Sequence, residues 1–162
     1  MNLFVSATSA KTPKTVESQK IAYAYAGILT ILALAQLFTF NEFLTLLEAF
    51  LLPGGAPVAH LVGGLIVVSE VFALPFLLRL KVSPLMRAVS MVLGWLVPLV
   101  WLKLTLWLIF TSNPVSNIGI LGTTIKLLPG WWVACISVSL GILAAWASWG
   151  LWPYKPRSNK KK

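Results

Sequence analysis

Four apolar runs, at 21–40, 57–78, 84–110 and 130–152, alternate with shorter polar segments along the chain. At 1.5 Å of rise per residue, about 20 residues cross a hydrocarbon layer of ~30 Å, so each run has the length of a membrane-spanning helix. The third is longer than needed, which predicts tilt or a bend. The 41–55 segment behaves differently. Asn41 is placed to cap a helix, and Phe43, Leu46, Leu47, Phe50 and Leu51 recur at helical spacing, with Glu42, Thr45 and Glu48 on other faces. A helix so short and so two-sided is expected to lie along the membrane interface, ending at Pro53, Gly54 and Gly55. Ser83 and Pro84 supply a cap and a first-turn proline for the third span. Inside spans, Pro75 is expected to free the carbonyl of Val71, and Pro98 that of Gly94. The 111–129 segment is too rich in Ser, Asn, Thr and Gly for a span and reads as a polar connection. The predicted fold is an all-α integral membrane four-helix bundle with a short interfacial amphipathic helix between helices 1 and 2. A polar tail (1–20) precedes the membrane domain (21–152), and a basic tail (153–162) follows it. There is no convincing internal repeat.

Composition agrees with the pattern and narrows it. Of 162 residues, 58% are apolar and only 10% charged, more apolar surface than a soluble domain of this size can hide. The mean hydropathy is +0.86. A formal charge of +9 would suggest nucleic acid in a soluble protein. Here the basic residues cluster at span ends, so the expected partner is the lipid bilayer and not nucleic acid. Lys11, Lys14 and Lys20 precede the first span; Arg79, Lys81 and Arg87 flank the turn between the second and third; five more, including the Lys160–Lys162 run, follow the fourth. The other two connections contain only Lys126, an imbalance that predicts both termini on the cytoplasmic side. The first 20 residues lack the apolar core of a cleaved signal peptide. A single cysteine, Cys135, excludes an internal disulfide, and one histidine without any aspartate leaves little from which to build a metal site. Cys135 is expected to be a buried, inert thiol.

The chemistry that remains centres on Glu70. An acid near the middle of a span costs on the order of 2.5–3.5 kcal/mol on insertion scales, so it is expected to face protein or water and not lipid. Gly63 and Gly64, on the same helix, are expected to let a neighbouring helix approach closely. Counted from the outer ends, Glu70 lies about 20 Å deep and Lys103 about 10–12 Å. A Glu70–Lys103 pair is within reach of a lysine stem; the alternative is that Lys103 snorkels outward beside Trp107. Glu70 then either fixes helix register or serves as a proton, ion or polar-ligand site. Gln36, Asn41, Glu42, Glu48 and His60 lie on the same outer side, where they either rim an outward-facing pocket with Glu70 or supply ordinary interface polarity. Trp95, Trp101 and Trp107 are spaced by six, which turns them around the helix and assigns them to packing and lipid contact. No phosphate loop, nucleophilic triad or metal-ligand spacing occurs, so an enzymatic role is left open with the balance against it; redox catalysis would require a bound cofactor.

The order of pieces over roughly residues 20–150 resembles the DoxX/MauE-like family of small four-helix membrane proteins. The resemblance is carried by AGILTILALAQLFTFNEFLTLLEAFLLP and by GGLIVVSEVFALPFLLRLKVSP with its glutamate, followed by a long third helix. In that family the acid sits in the second helix, as Glu70 does, and the first helix of many relatives ends in a lysine where Gln36 stands. The MauE branch carries a Cys-x-Cys-Phe-Gly type motif before its last helix. Here 117–122 reads NIGILG, like that motif with isoleucine in place of both cysteines. The resemblance implies a prokaryotic inner-membrane accessory protein or subunit of a redox, quinone-linked or maturation pathway. A quinone or other lipid-soluble ligand is the implied cofactor class, and another membrane or periplasmic protein, or a second copy, the implied partner. With its cysteines replaced, this chain is not expected to transfer dithiols itself.

Overall fold

A computed structural model describes residues 13–151, so residues 1–12 of the predicted polar tail, Trp152 at the end of the fourth predicted span, and the whole predicted basic tail (153–162) lie outside the described residues. Among the described residues five helices occur in order: α1 (Val16–Phe38), α2 (Phe40–Glu48), α3 (Gly55–Leu77), α4 (Pro84–Thr111) and α5 (Trp131–Leu151). All except α2 are long and apolar enough to cross a membrane. Each of the four packs on two others, α1 on α3, α3 on α4, α4 on α5 and α5 back on α1, which closes them into a ring. The chain is an all-α membrane bundle. Its outward faces carry Ile31, Val68, Leu99 and Ile142, all exposed, as a lipid-facing surface requires.

α1 begins five residues before the predicted span. Thr15 caps it, its side chain accepting from the Ser18 amide at 3.1 Å, and Glu17 sits in the first turn where the helix dipole favours an acid. Ser18 is fully buried against the end of α5, where a Cβ on Gly150 would collide with it. The stretch 16–20, expected as tail, is therefore the first turn of a packed helix. At its other end α1 stops at Phe38, and Thr39 turns the chain into α2. Asn41 lies inside α2 and does not cap it.

α2 buries Phe43 and Leu47, with Phe50 following just beyond it, while Glu42, Thr45 and Glu48 stay exposed. Its docking surface is α3. A Cβ at Gly63 would come within 2.7 Å of Leu44 and 3.0 Å of Leu47, so this glycine admits α2 and not another span. Gly64 meets nothing within 4 Å, and the expected close helix approach at that position does not occur.

Both prolines lie within helices, and side chains of neighbouring helices bond backbone groups beside them, reaching the predicted freed carbonyl at Pro98. The Gly94 carbonyl freed by Pro98 accepts from the Tyr25 hydroxyl at 2.6 Å. Beside Pro75, Ser90 takes the Phe76 amide on its Oγ at 2.9 Å and donates to the Ala73 carbonyl at 3.1 Å. Each proline region thereby becomes a fixed point of helix packing.

Candidate functional site

Glu70 lies on the inward face of α3 with no accessible surface, and neither has Gln36, near the end of α1. The Gln36 amide Nε2 donates both to Glu70 Oε1 and to the Ile120 carbonyl, each at 3.1 Å. Two acceptors on one nitrogen fix the amide orientation, because rotating it would set oxygen against oxygen. From α4, the fully buried indole of Trp101 lies against the carboxyl, but its N–H does not reach hydrogen-bond geometry. Glu70 Oε2, Gln36 Oε1 and Trp101 Nε1 are left without partners. A buried polar atom in that condition costs about 1–3 kcal/mol, so three in one cluster call for an explanation.

What seals the cluster is the α4–α5 connection. Residues 117–120 of this loop are buried, although the whole segment reads as polar. Asn117 organises it: Oδ1 accepts the amides of Gly119 and Leu127 at 3.1 Å, and Nδ2 donates to the Gly122 carbonyl at 3.2 Å. Gly119 and Gly122 have φ of +79° and +61°, a region that strains residues bearing a Cβ. Space forbids one too. At Gly122 a Cβ would stand 2.5 Å from the Ala35 carbonyl oxygen, and at Gly119 it would press on Leu46 and Phe43. The loop thus docks against α1 and α2, delivers the Ile120 carbonyl to Gln36, and buries Ile118 and Ile120. Further out, the Thr123 amide donates to Thr39 Oγ1 at 3.1 Å, and the Thr123 hydroxyl donates to Glu42.

Of Glu70, Lys103, His60 and Gln36, only Gln36 and Glu70 come together with each other. Lys103 forms no salt bridge with Glu70. It is exposed on the outer face of α4, in one stripe with Val92, Leu99 and Phe110. Their spacing of seven, four and seven returns to the same side of a helix. His60 pairs with Glu48, both side chains about half exposed, and this ties α2 to the start of α3. The expected rim therefore splits into two surface ties, Glu48–His60 and Glu42–Thr123, and the polar cluster behind it is closed, not open to the outside. Cys135 is exposed on α5, in place of the expected burial.

Two members escaped the sequence reading. Trp101 looked like one of three rotating tryptophans, yet Trp95 donates to Ser148, Trp107 donates to the Phe50 carbonyl, and only Trp101 turns to the acid. The loop carried a usable signal: an asparagine and two glycines set among Ile118, Ile120 and Leu121. Among the described residues, no group of three or more His, Cys, Asp or Glu side chains converges in a way that could hold a metal ion. No family model, curated protein or solved structure matches the chain.

Proposed function

We propose that the chain is a DoxX-like accessory protein or subunit of a prokaryotic cytoplasmic membrane, with both termini cytoplasmic, working beside a redox, quinone-linked or maturation complex. The observation that carries the reading is the unfinished hydrogen bonding of a sealed acid. Glu70 Oε2 and Gln36 Oε1 are two buried acceptors, and the one unbonded donor beside the carboxyl, the Trp101 indole, can satisfy only one of them. A hydroxyl-bearing, lipid-soluble ligand such as a quinol presents matching groups. Entry requires the 117–122 loop to shift, because the carboxyl has no accessible surface with the loop in place. A partner protein seated on the outer side is suited to moving that loop, which makes the cluster a site under partner control.

The test is purification from native membrane in mild detergent, with lipid extraction and protein identification. A quinone or a defined membrane or periplasmic protein is expected to accompany the wild type, to diminish with Glu70→Gln and to disappear with Glu70→Ala. A colourless chain repeatedly isolated alone from detergent and from lipid discs would refute the reading.

The same orphaned acceptors favour a second reading, in which Glu70 holds a proton or small cation in an oligomeric carrier or channel component, with Pro75 and Pro98 allowing helix movement. Proteoliposomes should then show a proton flux that falls with Glu70→Gln. Absence of flux in the wild type excludes it.

A further inference from the structure

Away from the sealed cluster, the seam between α4 and α5 carries adjoining hollows on the lipid-facing side that share lining residues and together make a groove. Its deep section is lined by Pro98, Leu102, Val138 and Gly141; its shallow end is formed by Lys14, Met91, Trp95, Ser148 and Trp149, and Trp95 belongs to both. A side branch along Ile142, Ala145 and Trp146 rejoins the shallow end at Trp149. Polarity is graded along the groove. The ammonium of Lys14 lies 4.6 Å from the centre of the Trp149 ring, and the Trp95 indole is tied to Ser148 at 2.9 Å, both at the shallow end. Beyond Pro98 the lining is hydrocarbon, apart from Ser137, whose hydroxyl is turned to the Val133 carbonyl.

From Met91 to Leu102 on α4, and from Trp149 to Val138 on α5, the groove runs about 17 Å at the helical rise. A single leaflet of a ~30 Å hydrocarbon core is about 15 Å deep. We infer that this groove is a binding site for one anionic glycerophospholipid, with its phosphate at Lys14 and an acyl chain laid between α4 and α5 to the bilayer midplane. Charge complementarity selects the headgroup, and Trp149, two residues from the end of α5, sits where an indole favours the headgroup level. Shape selects the chain. A partner helix, 10–12 Å across, is too wide for a seam between two helices already packed together, whereas an acyl chain fits. A Cβ on Gly141 would stand 3.9 Å from the Pro98 Cβ, in van der Waals contact, so the bare glycine leaves the deep section wider by a methyl group at that point.

The full-length protein, stripped of lipid in detergent, is to be offered phosphatidylglycerol or phosphatidylcholine of equal chain length, and bound lipid counted by native mass spectrometry. The wild type is expected to retain about one phosphatidylglycerol per chain, preferred about fivefold over phosphatidylcholine. Lys14→Gln should erase the preference while weak binding of both lipids persists. Ala145→Leu and Val138→Trp, the second at an exposed position that tolerates bulk, should lower retention of both lipids without lowering the thermal midpoint of the protein. Equal retention of the two lipids by the wild type overturns the proposal, as does a preference that survives Lys14→Gln. Tail-free glycerol phosphate competing as well as the intact lipid would show a surface phosphate site instead. A change of oligomeric mass in the groove variants with unchanged lipid count would give the groove to a protein partner.

Discussion

Glu70 and Lys103 are both charged-type residues set within apolar spans, and the bundle treats them in opposite ways. Glu70 has no exposure and is held by a side chain from α1 beneath a loop carbonyl from the far end of α4; Lys103 stands on an outward stripe with valine, leucine and phenylalanine. The difference follows from reach. A lysine carries its charge on four methylenes and can lay the stem along apolar surface towards the interface, while a glutamate is too short to leave the depth of its Cα. Burial among donors is the solution left to the acid. It obliges three separate segments to meet, and it leaves acceptors over that a ligand can use.

The comparison breaks most readily at the loop. Gly122→Ala adds a Cβ to a backbone with φ of +61° and sets it 2.5 Å from a backbone oxygen. Left-handed strain of ~1–2 kcal/mol with overpacking of ~1–3 kcal/mol predicts a loss of about 3 kcal/mol, measured by denaturant unfolding in detergent. Next comes the acid itself. Glu70→Ala removes the partner of the Gln36 amide and should cost about 2 kcal/mol, with Glu70→Gln nearer 1 because an amide oxygen still accepts. Tyr25→Phe orphans the Gly94 carbonyl beside Pro98 and should cost about 1 kcal/mol, at the upper end of what such bonds contribute in membranes. Lys103→Leu should change stability by less than ~0.5 kcal/mol in either direction. A loss as large as that of Glu70→Ala would mean that the two residues are not treated differently.

Much of the bundle was legible from periodicity. The four runs, the two-sided α2 and both proline sites correspond to features of the fold, and the freed Gly94 carbonyl even has its predicted need met by Tyr25. The start of α1 was not legible, because Val16 and four polar residues say nothing about a partner as distant in sequence as Gly150. Glu70 announced itself by its insertion cost, and Gln36 only by lying on the same side of the membrane. The 111–129 segment is a connection, as its composition says, but its buried part was not legible, because that part owes its place to Asn117 turning in on its own backbone. The Lys103 pairing failed for a rotational reason: residues seven and four apart from exposed neighbours share their outward side, whatever the depth.

The seal over Glu70 is open to direct measurement. With Cys135→Ser removing the exposed native thiol, Ile120→Cys reports on the buried loop and Lys126→Cys on its exposed end, through maleimide labelling rates in detergent. With Glu70 and Gln36 intact, the thiol at 120 should label at least tenfold more slowly than the thiol at 126, and Gln36→Ala should remove most of that protection. Equal rates at the two positions in the otherwise native chain would contradict the sealed site.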